Sequence, residues 1–393
     1  MSLKQAAMNV YKGWPNIGVS QVPMDSVVNL FENVRHSRAT VAALEADTTI
    51  SYIAGSVGYV AVGDEVYAGG FSYEVALAVA ANHDIANSGG VKFYSRPFGG
   101  YFHTAQFPGN GIGAQFNAAV AAVKRVQGAP GNTWFAPTEG IRITPGRYSP
   151  DEMLVLDSVS GVHVNGYGVE IESFSSALTP FRMFETYKSR VDGIHFNMRN
   201  NNAASQGVLL DGQCGWVTLT DIEVTANSSN VEFAAFRGKQ TDETDRNTGN
   251  FWTTLDRCWV RKLQGADANE IAIGVDLQGA QNATRFLNCS ISSFTTGVRI
   301  REQNGDTSSG TTNDVQFAQT AFEGGSGSAI LIDPSYNAII QNPASVIGCR
   351  FEAVGAVLEF GANLTSVTPA QAAFLAGNTI ISSVTNYVIN PNS

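Results

Sequence analysis

The feature that most constrains the fold is an irregular internal repeat in the second half of the chain. The pattern apolar-x-x-apolar-x-apolar recurs eight times, and its central residues are 32, 28, 36, 31, 31, 29 and 29 residues apart. The eight occurrences are Val159/Val162/Val164, Val191/Ile194/Phe196, Leu219/Ile222/Val224, Leu255/Cys258/Val260, Phe286/Cys289/Ile291, Phe317/Thr320/Phe322, Val346/Cys349/Phe351 and Leu375/Asn378/Ile380. Such a period is typical of solenoid proteins, in which each turn buries its apolar side chains against the next.

The segments between the repeats favour β-structure. A second apolar strand often follows each repeat, as in Gly297–Ile300, Ala329–Ile332 and Val357–Phe360. Turns rich in Gly, Asn and Ser separate these strands, and charged residues make up only 15% of the chain, against about 25% in an average soluble domain. The sequence therefore predicts an all-β protein, a right-handed parallel β-helix of about eight rungs, with Cys258, Cys289 and Cys349 in one inward column.

Charge and composition exclude several function classes. The net charge is −10, from 24 basic and 34 acidic residues, and the basic residues do not cluster, which disfavours nucleic acid and anionic membrane as partners. We expect no membrane insertion and no signal peptide, because no apolar stretch is long enough, so synthesis in a reducing cytosol is expected. The four cysteines and five histidines show no spacing for a metal site, and no cofactor is predicted.

Three zones follow one another along the chain. Residues 1–98 contain a helical run near 27–44 and a hairpin over 66–75, in which Gly69–Gly70 forms the turn. Residues 99–150 form a linker, which begins near the Pro97–Gly100 boundary, and a helix over 112–124 that caps the open end of the coil. Residues 151–393 form the β-helix.

Two segments resemble known proteins. A helix over Gly111–Lys124, the turn Thr144-Pro145-Gly146-Arg147-Tyr148 and the rung Ser160–Gly168 resemble the beginning of the pectate-lyase-like right-handed β-helix. The segment Ser37–Tyr94 is similar to the head-proximal region of phage tailspikes. The order of anchor and β-helix is itself typical of tailspikes.

This resemblance implies a virion protein of the phage tail. Residues 1–98 would form a small mixed α/β anchoring domain that attaches to other tail proteins, and the chain would be a homotrimer. The β-helix would bind a bacterial surface polysaccharide, lipopolysaccharide or capsule. The resemblance leaves depolymerisation of that polysaccharide open, with hydrolysis favoured over lyase chemistry. The alternative is a non-catalytic structural tail component that acts as a spacer or as a base for another receptor-binding protein. A secreted lyase or hydrolase is disfavoured by the anchor-like first zone.

Outward positions of the early rungs collect side chains suited to sugars. We expect His195, Asn197, Trp259 and Arg261 to bind substrate, since an aromatic face suits the C–H side of a sugar and polar groups suit its hydroxyls. Asp221 and Glu223, two apart on one strand, are the predicted acid/base pair, at a separation that suits an inverting glycosidase. A solvated or trimer-facing polar surface is the alternative.

Other acidic residues are further candidates. Glu323 and Glu352 occupy one outward column on adjacent rungs, where mutual repulsion is expected to raise one pKa, so they are the second candidate pair. Asp276 and Glu302 are weaker candidates. The polar stretch 238–250 is either a binding loop or a solvated insertion.

Overall fold

The chain folds into two compact units. The computed structural model describes residues 36–54, 56, 58–127, 139–172, 179–199, 206–227, 234–239, 249–263, 273–279, 281–301, 313–332, 341–361, 373–382 and 384–389. The boundary between the units lies in sequence between Pro108 and Gly109, beyond the Pro97–Gly100 segment.

The first unit is built around a five-stranded sheet with the order β1-β2-β3-β5-β4. Its elements are β1 Ser37–Arg38, α1 Val41–Glu45, β2 Glu65–Ala68, β3 Phe71–Val75, β4 Ile85–Ala86, β5 Lys92–Ser95, β6 Tyr101–His103 and a 3₁₀ turn Thr104–Gln106. The predicted hairpin is confirmed, because β2 and β3 pair in antiparallel fashion and Gly69 and Gly70 both have positive φ, 59° and 87°. The hydrophobic core of the first unit includes Leu44, Val66, Tyr73 and Phe93.

The predicted helical run over 27–44 is only partly described. Helix α1 begins after Thr40, whose hydroxyl accepts a hydrogen bond from the Ala43 amide at 3.1 Å. Ser37–Arg38 forms a strand rather than helix, because it pairs with β2. Residues 27–35 lie outside the described residues.

The second unit begins with the predicted helix, which is confirmed. Helix α2, Ile112–Gln127, buries Ile112, Phe116, Val120 and Val123 along one side. Its side chains contact the following strand region, since Asn117 Oδ1 accepts a hydrogen bond from the Val155 amide at 2.8 Å.

The rest of this unit consists of strands. They are β7 Gly140–Arg142, β8 Gly146–Tyr148, β9 Leu154–Asp157, β10 His163–Glu172, β11 Phe181–Phe184, β12 Arg190–Arg199, β13 Gln206–Asp211, β14 Thr218–Thr220, β15 Glu223–Asn227, β16 Ala234–Lys239, β17 Asn250–Phe251, β18 Thr254–Asp256, β19 Trp259–Lys262, β20 Ile273–Gln278, β21 Gln281–Asn282, β22 Arg285–Leu287, β23 Ser290–Ser292, β24 Thr296–Arg301, β25 Asn313–Ala318, β26 Ala321–Glu323, β27 Ser328–Ile332, β28 Gln341–Ile347, β29 Arg350–Glu352, β30 Ala356–Phe360, β31 Ala373–Ala376, β32 Thr379–Ser382 and β33 Asn386–Ile389.

These strands form a parallel β-helix, which confirms the predicted fold class. Sheet 1 comprises β7, the first halves of β10 and β12, and β14, β18, β22, β25, β28 and β31; sheet 2 comprises β8, the second halves of β10 and β12, and β15, β19, β23, β26, β29 and β32. Sheet 3 has nine strands in the described residues, β9, β11, β13, β16, β20, β24, β27, β30 and β33. The coil therefore has about nine turns, close to the eight rungs predicted.

A single residue turns the chain between sheet 1 and sheet 2. It is the third position of the repeat, and it has a positive φ of 52° to 74° at Gly193, Asp221, Arg257, Asn288, Gln319, Gly348 and Gly377. This left-handed conformation favours Gly and Asn, which occupy four of these seven positions. Each repeat therefore spans a corner and parts of two strands, rather than one strand.

The first predicted rung is out of register. Strand β10 carries an irregularity between Asn165 and Val169, where three residues, Gly166–Gly168, form the corner that one residue forms elsewhere. As a result Val169, not Val162, is equivalent to Ile194. His163 pairs with Arg190 rather than stacking on His195.

Inward side chains stack from rung to rung. Phe286 lies on Phe317 with 4.9 Å between ring centroids, and Phe322 lies on Phe351 at 5.2 Å. The predicted inward column of Cys258, Cys289 and Cys349 is confirmed, since all three are buried and the residues that follow them belong to one ladder of register partners. Cys258 and Cys289 donate hydrogen bonds to the Leu219 and Leu255 carbonyls, each on the preceding rung, at 3.4 Å.

Candidate functional site

Sheet 2 brings several predicted site residues into two neighbouring outward ladders. His195, Glu223 and Trp259 are in register on consecutive rungs. Asn197, Thr225 and Arg261 form the adjacent ladder on the same three rungs. Neighbouring strands are about 4.8 Å apart, so each side chain lies beside its equivalents on the next rungs.

Glu223 is held by cationic and hydroxyl groups. Its Oε1 lies 2.7 Å from Arg261 Nη2 and accepts a hydrogen bond from Thr225 Oγ1 at 3.2 Å. Thr225 Oγ1 in turn lies 3.0 Å from His195 Nε2 and 3.3 Å from Arg261 Nε, which donates to it. The four side chains form one network whose geometry the strand register imposes.

His195 lies between two carboxylates. Its Nε2 is 3.8 Å from Glu223 Oε1, and its Nδ1 is 4.0 Å from Glu170 Oε1. Glu170 was missed by the sequence analysis, because the bulge in β10 shifts it into register with His195. The left-handed Gly168 directly before Val169, like Gly193 before Ile194, is the signal that would have found it.

Asn197 has a different place from the one predicted. Its side chain is only 2% exposed, and its Nδ2 donates a hydrogen bond to Glu170 Oε1 at 2.7 Å. A buried amide of this kind does not face a ligand at the surface. In this structure Asn197 positions Glu170 instead of presenting itself to substrate.

Asp221 lies at a corner, not on one strand with Glu223. It occupies the left-handed position between β14 and β15. Arg257 binds its carboxylate with two hydrogen bonds, Nε to Oδ1 at 2.8 Å and Nη2 to Oδ2 at 3.1 Å, and Tyr167 donates to Oδ2 at 2.6 Å. The Arg257 guanidinium, helped by the Tyr167 hydroxyl, holds the pKa of Asp221 below its ordinary value.

Tyr167 reaches Asp221 because of the bulged corner. Tyr167 belongs to the rung of β10, and its ring lies over Gly193 on the next rung, that of β12. Its hydroxyl contacts Asp221 one rung further on, between β14 and β15. A Cβ added to Gly193 would come within 2.3 Å of the Tyr167 ring, so the ring lies directly on this glycine. The bulge and Gly193 together produce a contact that spans two rungs.

Trp259 is exposed but has one face engaged. The guanidinium of Arg261 lies 4.5 Å from the centre of its ring, in a cation–π contact. The edge and the opposite face of the indole remain available for contact with a ligand.

The second candidate pair is bridged by a cation. Glu323 and Glu352 are in register on adjacent rungs, as predicted, but Arg350 lies beside both, with Nη1 3.1 Å from Glu323 Oε1 and Nη2 in contact with Glu352. The guanidinium offsets the repulsion on which the acid/base hypothesis depended. Asp276 is also paired, since it is fully buried among Arg237, Arg299 and Arg301. Glu302 and residues 240–248 of the polar stretch lie outside the described residues.

Two tryptophans form an exposed stack that the sequence analysis missed. Trp216 and Trp252 lie on adjacent rungs with 4.7 Å between ring centroids and an interplanar angle of 14°. Both have positive φ, 53° and 50°, and each is 43% exposed. Their separation of 36 residues equals the step from Ile222 to Cys258, which is the signal that would have placed them on neighbouring rungs.

The described part of the chain contains neither a candidate metal site nor a candidate membrane span. No cluster of three or more His, Cys, Asp or Glu side chains there could hold a metal ion. None of the described helices is long and apolar enough to cross a membrane.

Comparison with known proteins relates the chain to solved structures. No protein-family model and no curated protein matches the sequence. The Agl-KA catalytic domain is 16% identical, with a TM-score of 0.48, over 76% of this chain and 51% of that one. A variant of the tailspike protein of E. coli bacteriophage HK620, in complex with a pentasaccharide, is 14% identical with a TM-score of 0.45, over 70% of this chain and 54% of that one.

Another phage protein is among the similar structures. The enzymatically active domain of tailspike protein 2 of bacteriophage CBA120 is 11% identical, with a TM-score of 0.38, over 91% of this chain and 59% of that one. The chain spans about half to three fifths of the length of these structures. Tailspikes thus stand among the structures similar to this chain, which itself folds into a parallel β-helix.

Proposed function

We propose that this chain is a phage tailspike-type protein that binds a bacterial surface polysaccharide on the outer face of its β-helix. The observation that carries the proposal is the set of exposed aromatic rings beside fixed charges on consecutive rungs. Trp216, Trp252, Trp259 and Tyr167 are each more than two fifths exposed. Arg261 lies against the Trp259 ring, and Arg257 shares the Asp221 carboxylate with Tyr167.

Sugar recognition needs this combination of groups. A pyranose has an apolar C–H face that packs against an aromatic ring and a rim of hydroxyls that needs donors and acceptors. Rigid strands hold both kinds of group in place, so little conformational entropy is lost when a ligand binds. A ladder with a repeat near 4.8 Å also extends along the coil, which suits a polymeric ligand.

Binding without cleavage is the role that the ion pairs favour. Asp221 is paired with Arg257, Glu223 with Arg261, and Glu323 and Glu352 with Arg350. Inverting hydrolysis needs one protonated and one ionised carboxyl group. Asp221, with its lowered pKa, suits only the ionised role.

Depolymerisation by Asp221 and Glu223 is the second candidate function. It is favoured by one observation, the placement of both carboxylates next to exposed Trp259 and Tyr167 on a common outer surface. The further parts of the proposal come from the sequence resemblance: attachment to the virion through residues 1–98, a location in the phage tail, and assembly as a homotrimer.

The test uses the purified chain and lipopolysaccharides and capsular polysaccharides from a panel of bacterial strains. Binding is measured by biolayer interferometry, and cleavage by new reducing ends and by ultraviolet absorbance of unsaturated products. We expect binding to a subset of the panel with no new reducing ends. Trp259→Ala should weaken this binding, whereas Tyr387→Ala, an exposed aromatic on the last rung, should not.

Two results would contradict parts of this proposal. A chain that binds none of the panel is not a polysaccharide-binding tailspike protein. If new reducing ends appear, and Asp221→Asn and Glu223→Gln abolish them, the depolymerase function replaces the binding one. Mass photometry of the same preparation tests the trimer.

A further inference from the structure

The Trp216–Trp252 stack stands beside a ladder of hydrogen-bond donors on sheet 1. Arg190, Thr218, Thr254 and Arg285 are in register on four consecutive rungs. Thr218 and Thr254 begin β14 and β18, two residues after the two tryptophans, so the ladder lies next to the corner that holds the stack. The stack and this ladder form one surface, which we call the indole face.

Arg285 is the distinctive member of the indole face. It is exposed, and within the described residues it makes no ion pair or side-chain hydrogen bond. Carboxylates on both neighbouring rungs are engaged by other groups. Asp256, on the preceding rung, is engaged by Arg257 at 2.7 Å and by Asn288 at 3.3 Å. Asp314, on the following rung, accepts a hydrogen bond from Gln316 at 2.9 Å. Arg190 at the other end of the ladder is paired with Asp192 at 2.6 Å.

The distances suit a single sugar residue. Arg285 is in register with Thr254, so it lies one rung, about 4.8 Å, from the residue that follows Trp252 by two positions. A pyranose packed against the indole stack places a substituent within reach of the Arg285 guanidinium. A planar guanidinium pairs best with a carboxylate or another planar or tetrahedral anion.

The left-handed conformation of the two tryptophans is a regular corner of the coil. Their equivalents on neighbouring rungs, Lys188, Ala283 and Asp314, also have positive φ, between 47° and 58°. The corner holds the two indoles one above the other, with each 43% exposed. The stack is therefore presented to solvent by the same backbone geometry that repeats along the coil.

We propose that the indole face is a subsite for an acidic sugar, whose ring packs on Trp216 and Trp252 and whose carboxylate pairs with Arg285. The inference rests on the proposed polysaccharide binding and narrows it to an anionic polymer. Local positive charge is needed for such a ligand, because the chain as a whole has a net charge of −10 and repels anions. This subsite is separate from the network around Glu223 and Trp259.

The test compares each acidic capsular polysaccharide with its carboxyl-reduced form. Reduction of the uronic acids to neutral sugars removes the charge and keeps the rings and linkages. We expect the wild-type chain to bind an acidic form about tenfold or more tightly than its reduced form, because an arginine–carboxylate hydrogen bond is among the strong ones. Arg285→Gln should bind both forms equally, and Arg285→Lys should keep most of the preference.

Variants of the stack complete the test. Trp252→Asn keeps a residue that tolerates the left-handed corner, so the variant should fold, and it should bind both forms about tenfold more weakly. Tyr387→Ala is the control and should behave as the wild type. Circular dichroism and thermal unfolding of each variant check the fold.

Several outcomes would overturn the inference. If the wild type binds polysaccharide but does not distinguish the acidic from the reduced form, or if Arg285→Gln keeps the preference, the acidic subsite is wrong while polysaccharide binding stands. If Trp252→Asn changes the oligomeric state in mass photometry and leaves binding intact, the stack is a contact between subunits. Absence of binding to the entire panel would overturn the subsite and the proposed function together.

Discussion

The inward and outward ladders of the β-helix come from the same strand register but differ in their exposure to solvent. Inside, Phe286 stacks on Phe317 and both are buried; outside, Trp216 stacks on Trp252 and each is 43% exposed. The centroid distances, 4.9 and 4.7 Å, are almost equal. The strand register therefore gives the same stacking geometry inside and outside the coil. The inner stack is buried and stabilises the protein, whereas the outer stack is exposed and remains accessible to a ligand.

The largest expected effect breaks the inward ladder. Phe317→Ala removes a buried ring that contacts Phe286 and Phe322. We expect the free energy of unfolding to fall by about 3–5 kcal/mol, measured by denaturant titration. A loss no larger than that of the outward variant Trp252→Asn would contradict the distinction between the two ladders.

The next prediction concerns an outward position that is buried like the core. Asp276 is 0% exposed and meets Arg299 through two hydrogen bonds of 3.0 Å. Asp276→Asn leaves three guanidinium groups without their carboxylate, and we expect a loss of about 3 kcal/mol at pH 7. Denaturant titration measures it, with Asp221→Asn as the matched control.

Asp276 also predicts a pH dependence. The hydrogen bonds of Arg299 and Arg301 hold its pKa well below the ordinary value despite burial. A lowered folded-state pKa contributes stability that is complete above the unfolded-state value of about 3.9 and is lost as the pH falls below it. The unfolding free energy of the wild type should therefore drop below pH 4, and that of Asp276→Asn should drop less. Parallel curves for the two proteins would show that Asp276 is not responsible.

A smaller effect is expected at the exposed corner. Asp221→Asn removes the ion pair with Arg257 but keeps a residue that accepts the left-handed conformation. The Arg257 side chain is 52% exposed and that of Asp221 is 32% exposed. The change in stability should therefore be much smaller than for Asp276→Asn and should vanish in high salt. Denaturant titrations at low and high salt measure it. A loss that persists in high salt would indicate a contribution beyond charge.

The smallest expected effect is the chemical labelling of the buried cysteines in the native protein. Burial raises the pKa of Cys214 to about 12 and also raises that of Cys349. We expect no labelling of the native protein by iodoacetamide at pH 8 and labelling of all four cysteines after unfolding, counted by mass spectrometry. Rapid labelling of Cys258 or Cys289 in the native state would show that the inward column opens.

Sequence periodicity predicted the parts of the fold that depend on local pattern. The hairpin follows from Gly69–Gly70, helix α2 from apolar residues at 112, 116, 119, 120 and 123, and the solenoid from repeats near 30 residues. The candidate site was harder to predict, because a shift of two residues at Gly166–Gly168 changes which side chains meet. Glu170 was missed for this reason.

The repeat pattern is enough to specify a coil of stacked rungs, since alternating apolar residues must be buried and the repeat length leaves room for one turn each. The partners of each outward side chain are instead set by contacts between rungs. Asn197 is buried against Glu170, Asp221 is bound by Arg257 from the next rung, and Trp216 meets Trp252 across 36 residues. Such contacts depend on the register between rungs, which corners and bulges set and which the pattern within one rung does not contain.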